Sequence, residues 1–279
     1  MSFDKFRSEV AAGDRFEFGE NWKNFLLKIN DERIFNAQLS LTDMLEINSL
    51  SGKSFLDVGS GSGLFSLAAR NLNANVTSFD FDESSVYCTA ELNKRYYPND
   101  EFWSVMQGSV LDSSFVGQLG RFDIVYSWGV LHHTGDMWSA IDNCLNLVND
   151  GGKFCIAIYD DQGIKSQIWW VVKWIYNKLP KFLIKPFAYT SAFFINFILL
   201  LKFTIKLKPK AFFEQILNYK KHARGMSVLS DILDWYGGFP FEFSSYEKLV
   251  EFIQRKGFEL QKGKRASSLG CHELVFRKI

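Results

Sequence analysis

The sequence predicts an α/β fold with a doubly wound, mostly parallel sheet. Between residues 53 and 159, short apolar runs typical of buried strands alternate with amphipathic runs typical of helices. Such alternation indicates consecutive βα units. The strand at 55–58 runs into a glycine-rich turn, and the strand at 75–79 runs into an acid. In doubly wound sheets, turns of this kind lie at the carboxyl ends of the strands.

Glycines occupy alternate positions in the turn after the first strand, at Gly59, Gly61 and Gly63. Without a Cβ, glycine lets the backbone turn tightly and approach a ligand closely. Asp80 lies 21 positions after Gly59, where a doubly wound sheet places a carboxylate that holds ribose hydroxyls. The combination predicts a site for a nucleoside cofactor.

The spacing of the glycines narrows the kind of cofactor. The dinucleotide fingerprint G-x-G-x-x-G needs a glycine at position 64, where this chain has Leu64. A P-loop needs Lys followed by Ser or Thr, and residues 64–66 do not provide this pair, which argues against a nucleoside triphosphate. The pattern D-x-G-x-G-x-G that starts at Asp57 instead resembles motif I of the class I S-adenosylmethionine (SAM)-dependent methyltransferases.

Further segments resemble the same family. They are residues 107–112 after the third strand, 122–133 for the fourth strand and its turn, 147–154 at the entry to strand five, and 257–260 with 271–276 as a closing antiparallel pair. The resemblance covers about residues 40–160 and 245–279. It implies a Rossmann-like, mostly parallel seven-stranded sheet with an antiparallel last strand.

The resemblance also implies SAM as cofactor, with S-adenosylhomocysteine as product. The backbone N–H groups of the glycine turn, including Ser60, would meet the methionine carboxylate. Asp57 would lie near the methionine ammonium, and Asp80 would take the ribose hydroxyls. Phe81 would cover one face of the adenine, with ordinary packing as the alternative. The remaining predicted cofactor residues flank the adenine edge or the methionine end: Ser109, Val110, Ser127 and Trp128.

Methyl transfer from SAM requires few catalytic groups, because the sulfonium of SAM departs as a neutral thioether without an acid or a metal. What remains is alignment and, for a hydroxyl acceptor, removal of a proton. His132 and His133 are candidate bases, since a histidine pKa near 6.5 suits that task; a structural role for the pair is the alternative. Asp160 and Asp161, after strand five, are further candidates, with a solvated turn as the alternative.

Among subfamilies, the ubiquinone-biosynthesis O-methyltransferases are the most similar. Their turn after strand four carries E-x-x-E-H, which is linked to a divalent ion. The aligned positions here are Gly129, His132 and His133, so both carboxylates are missing and no metal is expected. We predict transfer to a hydroxyl. Carbon or nitrogen acceptors, and a SAM-binding membrane-surface adaptor without catalysis, stay open as alternatives.

Composition excludes other classes of protein. The 279 residues carry a net charge of only +1, whereas nucleic-acid binders are usually basic. The four cysteines are scattered, which is typical of reduced thiols rather than of a disulfide framework or a zinc site. The first nine residues are charged and lack an apolar signal-peptide core. These features predict a cytoplasmic protein.

The chain divides into four predicted parts. Residues 1–50 would form a helical lid, or else pack as ordinary helices on the sheet. Residues 51–161 would form the SAM-binding core, residues 162–244 a helical insertion on the acceptor side, and residues 245–279 the closing helix and strands. Within the insertion, the aromatic and turn-rich residues 224–240 would form a wall of the acceptor site.

The insertion has an unusual charge pattern. Residues 162–213 contain nine lysines and no Asp or Glu. With the whole chain at +1, these lysines leave a net charge of −8 on the remainder. Three interpretations are open: a transmembrane helix, a buried cap over an apolar substrate, or a surface that contacts an anionic membrane. The last two are compatible, and they predict an apolar acceptor, lipid-linked or membrane-borne, and a protein peripheral to the inner face of the membrane.

Overall fold

A seven-stranded sheet forms the centre of the computed structural model, which describes residues 2–205, 210, 235–266 and 270–279. The strands are β1 (Ser54–Val58), β2 (Asn75–Asp80), β3 (Trp103–Gln107), β4 (Phe122–Trp128), β5 (Val148–Tyr159), β6 (Phe258–Lys264) and β7 (Cys271–Lys278). Their order is β3-β2-β1-β4-β5-β7-β6. The first five are parallel, and β7 runs antiparallel between β5 and β6. The predicted Rossmann-like fold is confirmed.

Helices cover both faces of this sheet. They are α1 (Ser2–Ala12), α2 (Gly19–Leu26), α3 (Asp31–Leu45), α4 (Leu64–Asn71), α5 (Glu83–Tyr96), α6 (Ser113–Val116), a 3₁₀ turn (Leu131–His133), α7 (Met137–Asn146), α8 (Ile164–Lys178), α9 (Lys181–Ile205) and α10 (Tyr246–Gln254). Phe55 and Leu56 belong to different apolar clusters, because successive side chains of a strand point to opposite faces. Phe55 packs with α3 to α5, and Leu56 packs with α7 and α10.

The order of the strands locates the site. The chain moves outward from β1 to β2 and β3, then returns to place β4 on the other side of β1. At such a reversal the loops after neighbouring strands diverge and leave a crevice at the carboxyl edge of the sheet. Asp57 in β1 is paired in register with Ser78 of β2 and Tyr126 of β4, so it lies at the centre of this arrangement.

The N-terminal segment is helical, as the sequence predicts. Asn30 begins α3 by accepting a hydrogen bond from the Arg33 N–H at 3.0 Å, which satisfies an amide that the helix itself leaves unbonded. Helix α2 lies against α5 and brings Trp22 close to Gly61. The predicted limits of the four parts, at residues 50, 161 and 244, stay predictions.

The insertion between β5 and α10 contains the two helices α8 and α9 in its described part, and its described residues 238–245 are not helical. One side of α8 and α9 packs on Tyr236 in a small apolar cluster that contains Tyr176, Ala188 and Ala192. Within the described part of the chain, no helix combines the length and the apolar composition needed to cross a membrane. Residues 206–209 and 211–234 lie outside the described residues, and with them most of the predicted acceptor wall.

Candidate functional site

A cleft of about 1320 Å³ opens at the carboxyl ends of the parallel strands. Its floor is the glycine turn, and its walls come from the loops after β2, β3 and β4, from the N-terminal helices and from Trp235. Nine of the eleven residues predicted to bind the cofactor line it: Asp57, Gly59, Ser60, Gly61, Asp80, Phe81, Ser109, Val110 and Trp128. The sequence therefore predicts the position of the cleft and much of its lining.

The glycine turn has no room for side chains. Gly59 has φ +75°, and a Cβ on it would lie 2.3 Å from Val130 Cγ1. Gly61 has φ +54°, and the Trp22 indole lies over it, with Nε1 3.1 Å from where a Cβ would be. Both positions combine a left-handed backbone with close contact. The turn thus presents bare backbone to the cleft.

Asp80 is held by the backbone at the end of β2. Its carboxylate accepts hydrogen bonds from the N–H groups of Gly61 and Asp82, each at 2.9 Å. Burial, with the nearby carboxylates of Asp82 and Asp57, raises the pKa of Asp80 to about 7, although the backbone bonds oppose the shift. A carboxylate fixed in this way can accept hydrogen bonds from a ribose diol.

Asp57 is buried under the glycine turn and is oriented by a chain of hydroxyl groups. Ser66 Oγ donates to Asp57 Oδ2 at 2.5 Å, and Ser78 Oγ donates to Ser66 Oγ at 2.8 Å. Trp103 Nε1 donates to Ser78 Oγ at 2.9 Å. Burial raises the pKa of Asp57 to about 6, and the bonds from Ser66 oppose that shift. The sequence analysis did not predict this series of hydrogen bonds. Its one indication in the sequence is a serine, Ser66, on the buried side of α4.

Two predicted cofactor residues lie outside the cleft lining. A Cβ on Gly63 would lie 2.8 Å from the Cα of Thr89, so this glycine allows α4 and α5 to pack closely. Ser127 is buried, and its hydroxyl donates to the Val58 carbonyl at 3.1 Å. Its neighbour Trp128 points into the cleft instead and stacks on Tyr126 with ring centres 5.6 Å apart.

The two adjacent histidines differ in position. The described residues that line the cleft include His133 and not His132. His132 is buried, and its Nδ1 accepts from the Tyr159 N–H at 3.4 Å. His133 Nδ1 donates to the Pro240 carbonyl at 2.6 Å, which leaves Nε2 as the acceptor nitrogen.

Burial changes the chemistry of this pair. Desolvation lowers the pKa of His133 to about 3 and that of His132 well below its usual value. The neutral imidazole is therefore stable across the physiological range. The pKa near 6.5 that the sequence suggests does not hold, because the surrounding protein desolvates both rings and so disfavours their charged forms.

Asp160 is placed away from the cleft. Its Oδ1 lies 2.9 Å from Nε2 of the buried His272 on β7, so its side chain faces a residue of the sheet and does not line the cleft. Asp161 caps the turn that follows by accepting from the Gly163 N–H at 2.8 Å. The described residues contain no group of three or more His, Cys, Asp or Glu side chains placed to hold a metal ion.

Two polar contacts of the N-terminal segment lie at the border of the cleft near Phe81. The Gly19 N–H donates to Asp82 Oδ2 at 2.7 Å. Arg15 donates to the His133 carbonyl at 2.8 Å and lies over the Phe81 ring at 5.0 Å. Asp82 could have been recognised from sequence, since an acid before Glu83 is a typical helix N-cap; Arg15 carries no comparable signal.

Arg33 on α3 also lines the cleft and was missed by sequence reasoning. Its guanidinium lies over the Phe25 ring at 5.1 Å. Its Nη1 is buried and has no hydrogen-bond partner among the described residues. A buried guanidinium N–H is costly to leave unbonded, and its natural complement is a carboxylate. The cleft therefore offers a second anion-binding group besides the backbone of the glycine turn.

At the other end of the cleft the walls are aromatic. Phe16, Phe18, Tyr159 and Trp235 line it together with His133. The Phe18 ring lies 5.0 Å from the His133 ring, and Tyr159 lies 5.6 Å from it. This end is a chamber lined largely by aromatic rings around one imidazole, with Arg15 and Thr134 beside it, which suits an apolar molecule that carries a polar group.

Comparisons with known proteins agree with this geometry. Residues 56–154 match the family described as a methyltransferase domain. A ubiquinone biosynthesis O-methyltransferase of Coxiella burnetii is 27% identical over 167 residues, which cover 59% of this chain and 68% of that protein. A ribosomal protein L11 methyltransferase of Helicobacter hepaticus is 29% identical over 129 residues, covering 42% and 39%.

Solved structures show the same fold. Magnesium protoporphyrin IX methyltransferase from Synechocystis, with bound S-adenosylhomocysteine, has a TM-score of 0.53 at 13% identity and 94% coverage of both chains. PKMT2 from Rickettsia typhi has a TM-score of 0.54 at 14% identity, covering 87% of this chain and 52% of that one.

The groups of the cleft fit SAM. A carboxylate suited to a diol, an unbonded guanidinium N–H suited to a carboxylate, and bare backbone at Gly59 and Gly61 are the donor and acceptor set that its ribose and methionine require. The fold, the domain match and the relatives agree with that chemistry. Residues 56–154 match a methyltransferase domain, and the predictions of a class I SAM-dependent methyltransferase and of SAM as its cofactor are confirmed.

Proposed function

We propose that this enzyme transfers the methyl group of SAM to a hydroxyl of an apolar small-molecule acceptor. The observation that carries the proposal is the aromatic chamber, where Phe16, Phe18 and Trp235 line the cleft together with His133 and the Phe18 ring lies 5.0 Å from the His133 ring. Walls of this kind bind apolar molecules, and one polar group orients them. Relatives whose names specify O-methylation support the choice of a hydroxyl.

In this proposal different residues bind different parts of the cofactor. Asp80 accepts hydrogen bonds from the ribose hydroxyls, and Phe81 with Val110 and Ser109 encloses the adenine. Arg33 and the N–H groups of the glycine turn hold the methionine carboxylate. Asp57, below the turn, attracts the methionine ammonium. Bound SAM supplies an electrophilic methyl group on a positively charged sulfur.

We assign His133 the task of orienting the acceptor. Its Nδ1–H is committed to the Pro240 carbonyl, so Nε2 accepts a hydrogen bond from the acceptor hydroxyl. Because burial holds the pKa of His133 at about 3, the ring orients this hydroxyl and does not store its proton. With SAM bound, the acceptor oxygen held in this way would form a bond to the methyl carbon as the bond from that carbon to sulfur breaks, and the hydroxyl proton would pass to water. His132 and Asp160 have no part in this scheme, since neither lines the cleft.

An acceptor screen tests the proposal. The protein and SAM are incubated with matched alcohols, phenols, amines and thiols of increasing apolar size, and methylated products are identified by mass spectrometry. We expect methyl ethers of apolar hydroxyl compounds and no product from Asp80→Ala. Methylated amines alone would replace this proposal with N-methylation. SAM binding without transfer to any hydroxyl compound would favour a non-catalytic SAM-binding adaptor.

A further inference from the structure

We infer that the outer faces of α8 and α9 dock on an anionic membrane beside the acceptor end of the cleft. The inference rests on the proposed function in one respect, because it places the apolar acceptor within the lipid. The argument concerns the described residues 164–205, which we call the docking helices.

The inner side of α8 is already used within the protein. Ser166, Lys173 and Tyr176 are buried, and Trp169 packs on Trp235 with ring centres 3.9 Å apart. The spacing of these residues, three or four positions apart, defines one face of a helix. In a protein surrounded by water, the opposite face of such a helix would be polar.

The outer sides of the docking helices are apolar instead. On α8, the exposed residues Ile164, Ile168, Val171 and Ile175 recur at helical spacing, beside exposed Trp170 and Trp174. On α9, every fourth residue from Tyr189 is exposed and large: Tyr189, Phe193, Phe197 and Leu201. Ile164 and Phe182, at the starts of the two helices, are 75% and 76% exposed. Apolar patches of this extent mark interaction surfaces.

The charges of the docking helices favour lipid over a protein partner. Residues 162–205 contain no Asp or Glu. Lys178 is used internally, since it donates to the Ala12 carbonyl and to Asp14. Lys165, Lys181 and Lys185 are exposed beside the apolar residues. Exposed aromatic residues flanked by lysines, with no acids among them, complement the headgroup region of an anionic leaflet.

The position of α8 connects this surface to the cleft. Trp169 contacts Trp235, which lines the chamber, and Trp170 lies 5.8 Å from Phe239. A helix with its side chains is about 10 Å across, so one helical layer separates the outer face from the chamber. An acceptor that resides in the leaflet would therefore contact the enzyme at the rim of the acceptor chamber.

Vesicle flotation tests this inference. The full chain is mixed with phosphatidylcholine vesicles, with or without phosphatidylglycerol at about one third of the lipid. We expect flotation with the anionic vesicles, weakened by salt. The double variant Lys181→Glu/Lys185→Glu should bind at least roughly 25-fold more weakly, since it removes two attractive charges and adds two repulsive ones. The control Lys28→Glu/Lys94→Glu changes the net charge equally at exposed positions elsewhere and should bind as the wild type does.

A second pair of variants tests the apolar contribution. Ile164→Ser/Phe182→Ser removes two side chains that are mostly in solvent, so it should weaken flotation and leave the melting temperature unchanged. Wild-type protein that does not float, or floats equally in the absence of anionic lipid, overturns the inference. A stable dimer that the same serine variants dissociate would assign this face to a second copy of the chain. Calorimetry with SAM on each preparation shows whether the methyltransferase site is intact, which separates failure of the docking surface from failure of the proposed function.

Discussion

The guanidinium of Arg15 donates to the carbonyl oxygen of His133 at 2.8 Å and to that of Thr134 at 3.1 Å. These contacts join the loop between α1 and α2 to the turn after β4, across more than a hundred positions of sequence. Glu9 orients the guanidinium at 2.6 Å, and the same group lies over Phe81. One side chain thus contacts Phe81, which follows β2, and His133, which follows β4, and these two residues belong to different walls of the cleft.

Replacement of Arg15 should loosen both sides of the site. In Arg15→Met, two hydrogen bonds from a charged donor are lost, and we expect SAM to bind roughly tenfold more weakly. Arg15→Lys keeps one of them and should be intermediate. Isothermal titration measures the affinities. Arg121→Met, which removes an exposed arginine 4.0 Å from Asp150, is the control. Wild-type affinity in Arg15→Met would show that this contact does not support cofactor binding.

Arg33 should contribute to cofactor affinity only through the amino-acid part of the cofactor. We expect Arg33→Met to weaken S-adenosylhomocysteine binding about 10- to 100-fold, the value of a hydrogen bond between charged groups. Binding of 5′-methylthioadenosine, which lacks the methionine carboxylate, should be unchanged. Titration of both ligands against both proteins gives the comparison. Equal losses for the two ligands would mean that Arg33 supports the fold of the cleft and does not bind the carboxylate.

A comparison of alanine substitutions at Gly59 and Gly52 distinguishes the cost of a left-handed backbone from the cost of a steric clash. Both have positive φ, but a Cβ on Gly59 would meet Val130 at 2.3 Å, whereas one on Gly52 would have nothing within 4 Å. Gly52→Ala should lower the free energy of unfolding by about 1 kcal/mol and leave SAM affinity intact. Gly59→Ala should lose measurable SAM binding. Denaturant unfolding and titration check the pair, and normal cofactor affinity in Gly59→Ala would contradict the geometry.

From the raised pKa values of the carboxyl groups in the site, we expect a rise in pH to have opposite effects on the stability of the folded protein and on its affinity for SAM. Burial raises the pKa of Asp80 to about 7 and that of Asp57 to about 6, and it raises the pKa of Asp82 as well. Between pH 4 and 7 the folded protein therefore holds protons that the unfolded chain releases. These groups thus lower the stability of the cofactor-free protein as pH rises through that range.

SAM should bind better as the same protons leave, because its hydroxyl and ammonium groups donate to ionised carboxylates. We expect the rise in melting temperature caused by saturating SAM to increase from pH 5.5 to pH 8. Thermal unfolding with and without SAM at each pH measures it. In Asp80→Asn most of this increase should disappear, and a pH-independent shift in the wild type would contradict the assignment.

Local spacing, together with the family resemblance, was sufficient to predict the fold and the position of the cleft. The turn from Gly59 to Gly61 and the acid at Asp80 follow buried strands, and parallel strands bring their carboxyl ends to one edge. Positive φ at these glycines then follows from the turn itself. Nothing in the spacing distinguishes Gly63, since the Cα that excludes its Cβ belongs to Thr89 on the next helix.

Which residues line the acceptor end of the cleft depends on tertiary packing. His132 and His133 are neighbours in sequence, yet only the second borders the cleft, because a 3₁₀ turn points consecutive side chains in different directions. Asp160 lies beside His272 because β7 pairs with β5, a long-range contact that spacing does not encode. The sequence by itself therefore determined the sheet, the glycine turn and the cofactor class, since these depend on neighbouring residues. The tertiary structure alone decided which histidine and which arginines reach the cleft, since burial and orientation depend on segments far apart in the chain.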